Sequence, residues 1–327
     1  MRMERLLPWL TLATLACAAE KSPETKRADV NAGAAALPAG EGYLPVDGGK
    51  IWYKVSGSGM ATPAILLHGG PGYGSFYMKP LEALSDERPV VRYDQLGGGK
   101  ADAATDTTLF TIARYVRELD ALRAKLGFDK LHVVGHSWGT ILGLEYYRAY
   151  PGHVASLTLM SAALDIPAWE KHARELVTTL SDSARKAISA AEAAKKYDSK
   201  EYESANGEFM ARYVVQRPVS ADWDSTFATV GMPVYMYMQG PSEYTIVGTL
   251  KEYNATAFLR DVRVPTLFTV GSVDEANPAT IKKHAAMTPG AKLVVIPDAA
   301  HLTMWDNPEA TVKAVRDFLH LVDTPKK

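Results

Sequence analysis

Cysteine and runs of like charge are what this sequence most clearly lacks. Its 327 residues include one cysteine, which excludes an internal disulfide and a metal site built from cysteines. Lysine and arginine number 36 and aspartate and glutamate 37, for a formal net charge of -1, and no stretch is rich in basic residues. No nucleic-acid partner is therefore expected, because nucleic-acid recognition depends on clustered positive charge.

Long hydrophobic runs are also missing, apart from a short stretch near the N-terminus. This stretch extends from Leu6 to about Ala16 after a charged start, and it is too short to span a bilayer. The pattern predicts a secretory signal peptide over residues 1–18, with Ala16-Cys17-Ala18 as the cleavage site. The alternative is a lipoprotein-like signal in which Cys17 carries a lipid. Both alternatives predict an exported protein, periplasmic or secreted, which contacts a membrane only if Cys17 is lipidated.

The rest of the chain indicates a folded α/β domain that follows a linker. Residues 19–40 are polar and rich in Ala, Gly and Pro without a period, as in a flexible linker. Hydrophobic residues make up 47% of the chain, which is enough for a large core. Helical patterns such as residues 111–126 alternate with short strand-like segments at 42–46, 50–55, 64–67, 89–93, 131–134, 155–160, 266–270 and 292–296. The alternation predicts a mostly parallel, doubly wound sheet with an antiparallel hairpin at Asp47-Gly48-Gly49.

The alternation of strands and helices stops after the sixth predicted strand. Residues 165–262 are helix-rich and include the Ala/Lys/Glu-rich stretch at 184–197. We therefore divide the folded part into a core at residues 41–164 and 263–327 and a helical insertion at residues 165–262. An insertion at this point follows the carboxyl end of a strand, where α/β sheets bind ligands, so we expect a lid that selects substrates.

A serine between two glycines indicates the chemistry. In the stretch VVGHSWGTILG (133–143), Ser137 lies where a buried strand gives way to a helix. A G-x-S-x-G in this setting is the nucleophile elbow of α/β-hydrolases, a tight turn that exposes the serine hydroxyl. A serine hydroxyl is a weak nucleophile, so the rest of the chain must supply a base, an acid and an oxyanion hole.

Together with the elbow, four other stretches resemble the proline iminopeptidases, a family of serine aminopeptidases that includes related amino-acid amidases. They are LLHGGPGYG (66–74), YDQLGGGKAD (93–102), VGSVDEANP (270–278) and DAAHLTMWDNP (298–308). Within the insertion, DIPAWEK (165–171) and MQGPSEYTIVGTL (238–250) resemble the lid of that family. The resemblance covers residues 41 to 320 and implies an α/β-hydrolase fold with an α-helical lid inserted after the sixth strand.

The resemblance also implies the catalytic residues. Ser137 is the nucleophile, His301 after the last predicted strand is the base, and Asp274 after the returning strand is the acid. Asp165 is the alternative acid. The backbone N–H groups of Gly70 and Trp138 form the oxyanion hole. The other histidines outside the family motifs are expected at the surface or in helices: His132, His153, His172, His284 and His320.

Two glutamates distinguish an aminopeptidase from an esterase of the same fold. A free N-terminus is largely ammonium near neutral pH, because its pKa is about 7.7 to 8.0, and a dry pocket must offer it carboxylates. In the family, the glutamate of the D-E pair and that of the G-P-S-E motif bind the substrate amine. The resemblance therefore implies an amine-binding role for Glu275 and Glu243.

The sequence thus predicts a serine aminopeptidase that releases an unblocked N-terminal residue, with proline as a candidate, from peptides or amino-acid amides through an acyl-enzyme. No metal and no cofactor are expected. Thr140, Lys100-Ala101 and Tyr244 depart from the usual family residues, so the preferred first residue stays open. The alternatives are an amino-acid amidase or a general carboxylesterase or lactonase of the same fold, and, in another class, a non-catalytic ligand receptor.

Overall fold

A mostly parallel sheet of eight strands lies at the centre of the fold. The computed structural model describes residues 39–217 and 221–324. The strands are β1 (Gly40–Val46), β2 (Gly49–Ser56), β3 (Ala64–Leu67), β4 (Val90–Asp94), β5 (Leu131–His136), β6 (Val154–Met160), β7 (Thr266–Gly271) and β8 (Lys292–Ile296). Their order across the sheet is β1-β2-β4-β3-β5-β6-β7-β8. Strand β2 is antiparallel to β1 and β4, and the other neighbours are parallel, which confirms the predicted sheet and hairpin.

The inner strands are buried on both faces, as a parallel sheet covered by helices requires. Every residue of β3, β4, β5 and β7 is buried. The edge strands β1 and β8 keep exposed positions. Burial on both faces requires continuous apolar runs. The strand ends predicted from these runs therefore lie within two residues of the observed ends.

Helices cover the sheet and connect its strands. Helix α1 begins after Thr111, whose hydroxyl accepts a hydrogen bond from the N–H of Arg114, and it ends just before Gly127, which has φ +70°. The α-helices of the described residues are α1 (Ile112–Lys125), α2 (Trp138–Ala149), α3 (Ile166–Val177), α4 (Asp182–Ala194), α5 (Lys200–Tyr213), α6 (Ala221–Ala228), α7 (Met232–Met238), α8 (Pro278–Met287), α9 (Thr303–Asp306) and α10 (Pro308–Asp323).

Helices α3 to α7 lie between β6 and β7, where the helical lid was predicted. Just before α7, the N–H of Gly231 donates to the carbonyl of Gly72 at 2.8 Å, and the N–H of Gly99 donates to the carbonyl of Thr229 at 3.0 Å. A Cβ at position 231 would lie 1.6 Å from the carbonyl oxygen of Gly97, so the close approach requires glycine. These contacts attach the inserted helices to the loops that follow β3 and β4, at the carboxyl ends of the parallel strands.

Some predictions fall outside the described residues. The signal peptide at 1–18 and the linker up to residue 38 belong to this part of the chain, and the domain bounds at 41–164, 165–262 and 263–327 stay predictions. In the described ranges, no helix combines the length and the apolar character needed to cross a membrane.

The predicted placement of His132 at the surface or in a helix is wrong. His132 is fully buried in β5. Its Nδ1 lies 2.8 Å from Ser156 Oγ, and its Nε2 lies 3.0 Å from Asp323 Oδ1 in the last helix. A polar ring is tolerated in this strand because both of its nitrogens have partners.

Candidate active site

Ser137 occupies the turn between β5 and α2. Its φ is 54° and its ψ is -123°, a backbone conformation that residues other than glycine rarely adopt. A Cβ at Gly135 would lie 2.3 Å from Gly139 O, and a Cβ at Gly139 would lie 2.1 Å from Leu67 O. Both glycines are therefore needed for the turn to pack against the end of β3, and the packing holds Ser137 in its strained geometry.

His301 and Asp274 form a buried pair. His301 Nδ1 lies 2.9 Å from Asp274 Oδ1. Because the carboxylate can only accept, Nδ1 carries the proton and Nε2 is left to act as a base. The carboxylate also accepts hydrogen bonds from Gly271 N at 3.0 Å, Ala276 N at 2.8 Å and Ser161 Oγ at 2.6 Å. These bonds fix the orientation of the acid, and the acid fixes the imidazole.

The alternative acid, Asp165, has a different role. Its side chain accepts a hydrogen bond from Ala168 N at 3.1 Å and caps the start of α3. The fold therefore brings Asp274, and not Asp165, to His301.

The residues whose N–H groups are expected to form the oxyanion hole line the same small cavity as Ser137. Gly70, Trp138 and Ser137 all line this cavity, whose volume is ≈ 10 Å³. Trp138 is the first residue of α2, and the helix itself leaves its N–H without an acceptor. Across the described residues, neither N–H has a hydrogen-bond partner. Two unpaired donors beside a nucleophile match the requirement of an oxyanion hole.

A buried chain of hydrogen bonds connects the oxyanion loop, the elbow and the base. Gly69 N–H donates to the Tyr77 hydroxyl at 2.6 Å. Tyr77 and His136 Nδ1 are 2.9 Å apart, and His136 Nε2 lies 3.0 Å from the carbonyl oxygen of His301. Because that carbonyl only accepts, Nε2 carries the proton, and the Tyr77 hydroxyl must donate to Nδ1. Burial lowers the pKa of His136 well below its usual range, which agrees with a neutral ring.

The two glutamates lie together beside Ser137 and His301. All four residues line a cavity of ≈ 20 Å³. Glu275 is completely buried, and among residues 39–217 and 221–324 neither of its carboxyl oxygens has a hydrogen-bond partner. Its Oε1 lies 3.7 Å from His301 Nε2. Glu243 accepts a hydrogen bond from the Tyr235 hydroxyl at 2.8 Å.

The environment of these glutamates is electrostatically unusual. Burial raises the pKa of Glu275 well above its usual range, and the neighbouring carboxyls of Glu243 and Asp274 raise it further. Burial also raises the pKa of Glu243, although the hydrogen bond from Tyr235 and the charge of His301 act to lower it. A buried carboxyl without a partner is costly, and a cation with N–H donors is the group that would satisfy it.

Sequence reasoning missed the supporting residues of the site. Ser161, Tyr77 and Tyr235 each hold a predicted site residue or its loop in place. Ser161 has φ 49°, immediately after β6, so a polar residue at the carboxyl end of a strand was the available signal. The other two carry no pattern of their own, because their partners lie in loops or in a strand, eight or more residues away in the sequence.

Comparisons with known proteins identify the family. The model of the alpha/beta hydrolase fold family matches residues 62–308. A proline iminopeptidase of Heyndrickxia coagulans is 35% identical to this chain over 285 residues, which cover 86% of this chain and 99% of that protein. The chain belongs to the proline iminopeptidase family of α/β-hydrolases.

Solved structures agree with this family. The proline iminopeptidase of Mycobacterium smegmatis is 32% identical, with a TM-score of 0.79 over 87% of this chain and 99% of that chain. The crystal structure of VinJ is 30% identical, with a TM-score of 0.84 over 88% of this chain and 100% of that chain. Membership in the proline iminopeptidase family confirms the α/β-hydrolase fold and makes the chain an enzyme, so the ligand-receptor hypothesis is set aside.

Proposed function

We propose that the chain is an exported serine aminopeptidase that releases an unblocked N-terminal residue from peptides or amino-acid amides through an acyl-enzyme. The observation that carries the proposal is the carboxyl of Glu275. It is completely buried, has no hydrogen-bond partner among the residues that the structure describes, and lines the cavity of Ser137 and His301. A substrate ammonium between Glu275 and Glu243 supplies the donors and the charge that this carboxyl lacks.

The raised pKa of Glu275 does not conflict with this role. An ammonium close to the carboxylate stabilises its charged form and lowers its pKa again. Binding of the amine therefore changes Glu275 from a disfavoured buried charge into one half of an ion pair. A blocked amine cannot do this, because an N-acetyl group carries no charge, and it would leave Glu275 without a cation.

The reaction follows from the arrangement of the other residues. Ser137 Oγ attacks the carbonyl carbon and gives its proton to His301 Nε2, while the oxyanion accepts hydrogen bonds from the N–H groups of Gly70 and Trp138. The C–N bond breaks, and the leaving nitrogen takes the proton from His301. Water then attacks the acyl ester and gives one proton to His301, and the ester C–O bond breaks as Ser137 Oγ recovers that proton. Asp274 holds the imidazole and stays ionised.

The first residue of the substrate is proposed from the relatives. The enzymes of H. coagulans and M. smegmatis carry the name proline iminopeptidase, which makes proline the first candidate. The cavity lined by Gly70, Ser137 and Trp138 also has apolar side chains in its walls, and these suit a small apolar residue. Substrates with alanine or leucine as the first residue are compared with the proline substrate to rank this preference.

The test is a panel of p-nitroanilides. Proline, alanine and leucine p-nitroanilides are assayed beside their N-acetylated forms, with p-nitrophenyl acetate as a control for a working nucleophile. We expect cleavage of the free-amine compounds and of the acetate, and little cleavage of the blocked amides. Equal cleavage of free and blocked amides would contradict the aminopeptidase proposal and favour a general amidase. Activity on the acetate alone would favour a carboxylesterase or lactonase.

Export is proposed from the sequence alone. The apolar stretch from Leu6 to about Ala16 and the small residues after it support a signal peptide. We expect the mature protein from the envelope or medium of the producing cell to start after Ala18, or at a lipidated Cys17. Mass spectrometry of its N-terminal peptide distinguishes the two. Recovery of the uncleaved chain from the cytosol would contradict export.

A further inference from the structure

A larger cavity adjoins the small space at Ser137. Its volume is ≈ 370 Å³, against ≈ 20 and ≈ 10 Å³ for the two cavities that contain Ser137. We name it the outer cavity. The residues that line it are Tyr73, Asn206, Met210, Phe227, Ala228, Val230, Met232, Tyr235, Pro241, Ser242 and Glu243.

The outer cavity adjoins the His301 side of the site. It shares Tyr73, Met210 and Glu243 with the cavity that contains His301. With the cavity that contains both the Gly70 and Trp138 N–H groups it shares only Glu243. The outer cavity therefore lies on the side of the site at which His301 acts as the base.

The scissile carbon carries its oxygen, the leaving nitrogen and the Cα of the first residue, which in turn carries the side chain and the free amine, and these groups need different surroundings. The carbonyl oxygen faces the two N–H groups, and the side chain of the first residue faces the apolar walls beside them. The free amine ends the chain at Glu243 and Glu275, so no further residues extend beyond it. The leaving segment remains, and it must be near His301, because His301 gives it a proton.

We propose that the outer cavity binds the leaving segment of the substrate and that it selects apolar side chains there. This inference rests on the proposed function and adds the substrate class: peptides with apolar residues after the first. Met210, Val230, Phe227 and Met232 supply apolar walls, and 43% of Phe227 and 50% of Met232 are exposed to solvent. An apolar segment would cover these side chains, and the buried area would contribute to binding.

A polar group in the wall fits a peptide rather than a hydrocarbon. Asn206 Oδ1 is shielded from solvent, and it has no hydrogen-bond partner in the part of the chain that the structure describes. An acceptor in this state needs an N–H donor. The backbone of a leaving peptide carries such donors, so the cavity offers apolar surface to side chains and one acceptor to the backbone.

The test compares leaving segments of equal length behind one first residue, the residue that the p-nitroanilide panel ranks first. The substrates end in Leu-Phe-amide or in Gly-Gly-amide, so they differ only in the side chains offered to the outer cavity. We expect kcat/KM to be roughly tenfold to a hundredfold higher for the Leu-Phe segment, the range for burial of a large apolar side chain.

Two variants in the cavity and one outside it check the location. Ala228→Trp, at the exposed end of α6, fills the outer cavity. It should reduce the ratio of kcat/KM for the Leu-Phe substrate to kcat/KM for the Gly-Gly substrate to near one. Met232→Glu should lower the ratio too and raise kcat/KM for a Lys-Lys segment relative to Leu-Phe. The matched control is Ala190→Trp on exposed α4, which lines a separate groove and should keep the wild-type ratio.

The outcomes separate this inference from the proposed function. The outer cavity does not bind the leaving segment if the wild type cleaves the Leu-Phe and Gly-Gly substrates with equal kcat/KM. The same conclusion follows if the preference for Leu-Phe is unchanged in Ala228→Trp and Met232→Glu. If no free-amine compound is cleaved, the aminopeptidase proposal fails, and this inference fails with it.

Discussion

Glu275 is the residue whose surroundings differ most from those of an ordinary surface acid. It follows Asp274 directly, yet the two carboxyl groups differ in their hydrogen bonding. In the described part of the chain, Asp274 has four hydrogen-bond partners, whereas neither oxygen of Glu275 has one. Adjacent residues after a strand point in different directions, so one carboxyl can orient the base while its neighbour faces the substrate. The unsatisfied group is the one left for a ligand.

Tyr77 offers a test of the hydrogen-bond chain behind the site. Tyr77→Phe leaves the N–H of Gly69 and Nδ1 of His136 without partners, which should lower the free energy of unfolding by about 1–3 kcal/mol. Gly69 precedes the oxyanion residue Gly70, so we expect kcat to fall roughly tenfold or more for amides and esters alike, with little change in KM. Steady-state kinetics and thermal unfolding measure both effects.

Tyr93→Phe is the matched control. The Tyr93 hydroxyl is buried, has no hydrogen-bond partner within the described ranges, and does not belong to the hydrogen-bond chain of Tyr77. It should leave kcat unchanged and stability unchanged or raised. If Tyr77→Phe behaves like Tyr93→Phe, the hydrogen-bond chain does not position the oxyanion loop.

The sequence indicated the candidate catalytic residues and missed those that hold them in place. Ser137, Asp274 and His301 are in motifs whose order along the chain is informative. The contact between Ser161 and Asp274 joins residues 113 apart, and that between Tyr77 and His136 joins residues 59 apart. No local pattern marks such pairs, since they depend on which strand ends become neighbours in the sheet. The burial of His132 was missed for the same reason, because Asp323 is 191 residues away.

Among the elements, the turn from β5 to α2 is under tight steric control. Gly139 lies against the backbone at the end of β3, and a methyl group there would displace one of the two elements. Gly207, on an exposed face of α5, has no atom within 4 Å of an added Cβ. The same substitution should therefore have opposite effects at the two positions.

Gly139→Ala should lower the free energy of unfolding by about 1–3 kcal/mol or more through overpacking. Gly207→Ala should raise it by about 0.5–1 kcal/mol, because alanine loses less backbone entropy in a helix. Chemical denaturation of the two variants measures the difference. A Gly139→Ala protein as stable as the wild type would contradict the steric account of the elbow.

Strands were easier to predict than the helices of the insertion. Apolar runs buried on both faces have clear ends, whereas helices α3 to α7 were expected only as a helix-rich region. Their ends depend on single residues: Ser181 and Ser199 cap α4 and α5, and Lys195 ends α4 in a left-handed conformation with φ 52°. Caps of this kind are common in sequences that form no helix, so each is recognised only once the helix is known.

At the scale of the whole molecule, a buried ion pair connects the first hairpin to the sheet and its helices. Arg114 and Glu118 in α1 pair with each other, and Arg114 Nη2 donates to the carbonyl oxygen of Asp47 at 2.7 Å. Leu96 N, after β4, donates to Glu118 Oε2 at 3.4 Å. The strand order itself was not predictable from the apolar runs, because a run does not specify its neighbours.

Glu118 should make global stability depend on pH. Burial raises its pKa to about 7 against the effect of Arg114, compared with 4.5 when unfolded. A raised pKa means that the folded state binds the extra proton, so this contribution is fully present below about pH 4.5 and is lost as pH rises through about 7. In Glu118→Gln, denaturant unfolding from about pH 5 to about pH 8 should show a smaller loss of stability. An unchanged pH dependence would contradict this.

The central claim is that Glu275 recognises a free amine, and one measurement tests it most directly. It is kcat/KM for a free-amine p-nitroanilide and for p-nitrophenyl acetate, in the wild type and in Glu275→Gln. Loss of a buried charge pair is worth about 3–5 kcal/mol, so we predict a fall of roughly a hundredfold or more for the amine substrate and a much smaller change for the acetate. An equal fall for both substrates would contradict the account, because it would mean that Glu275 supports the triad rather than the amine.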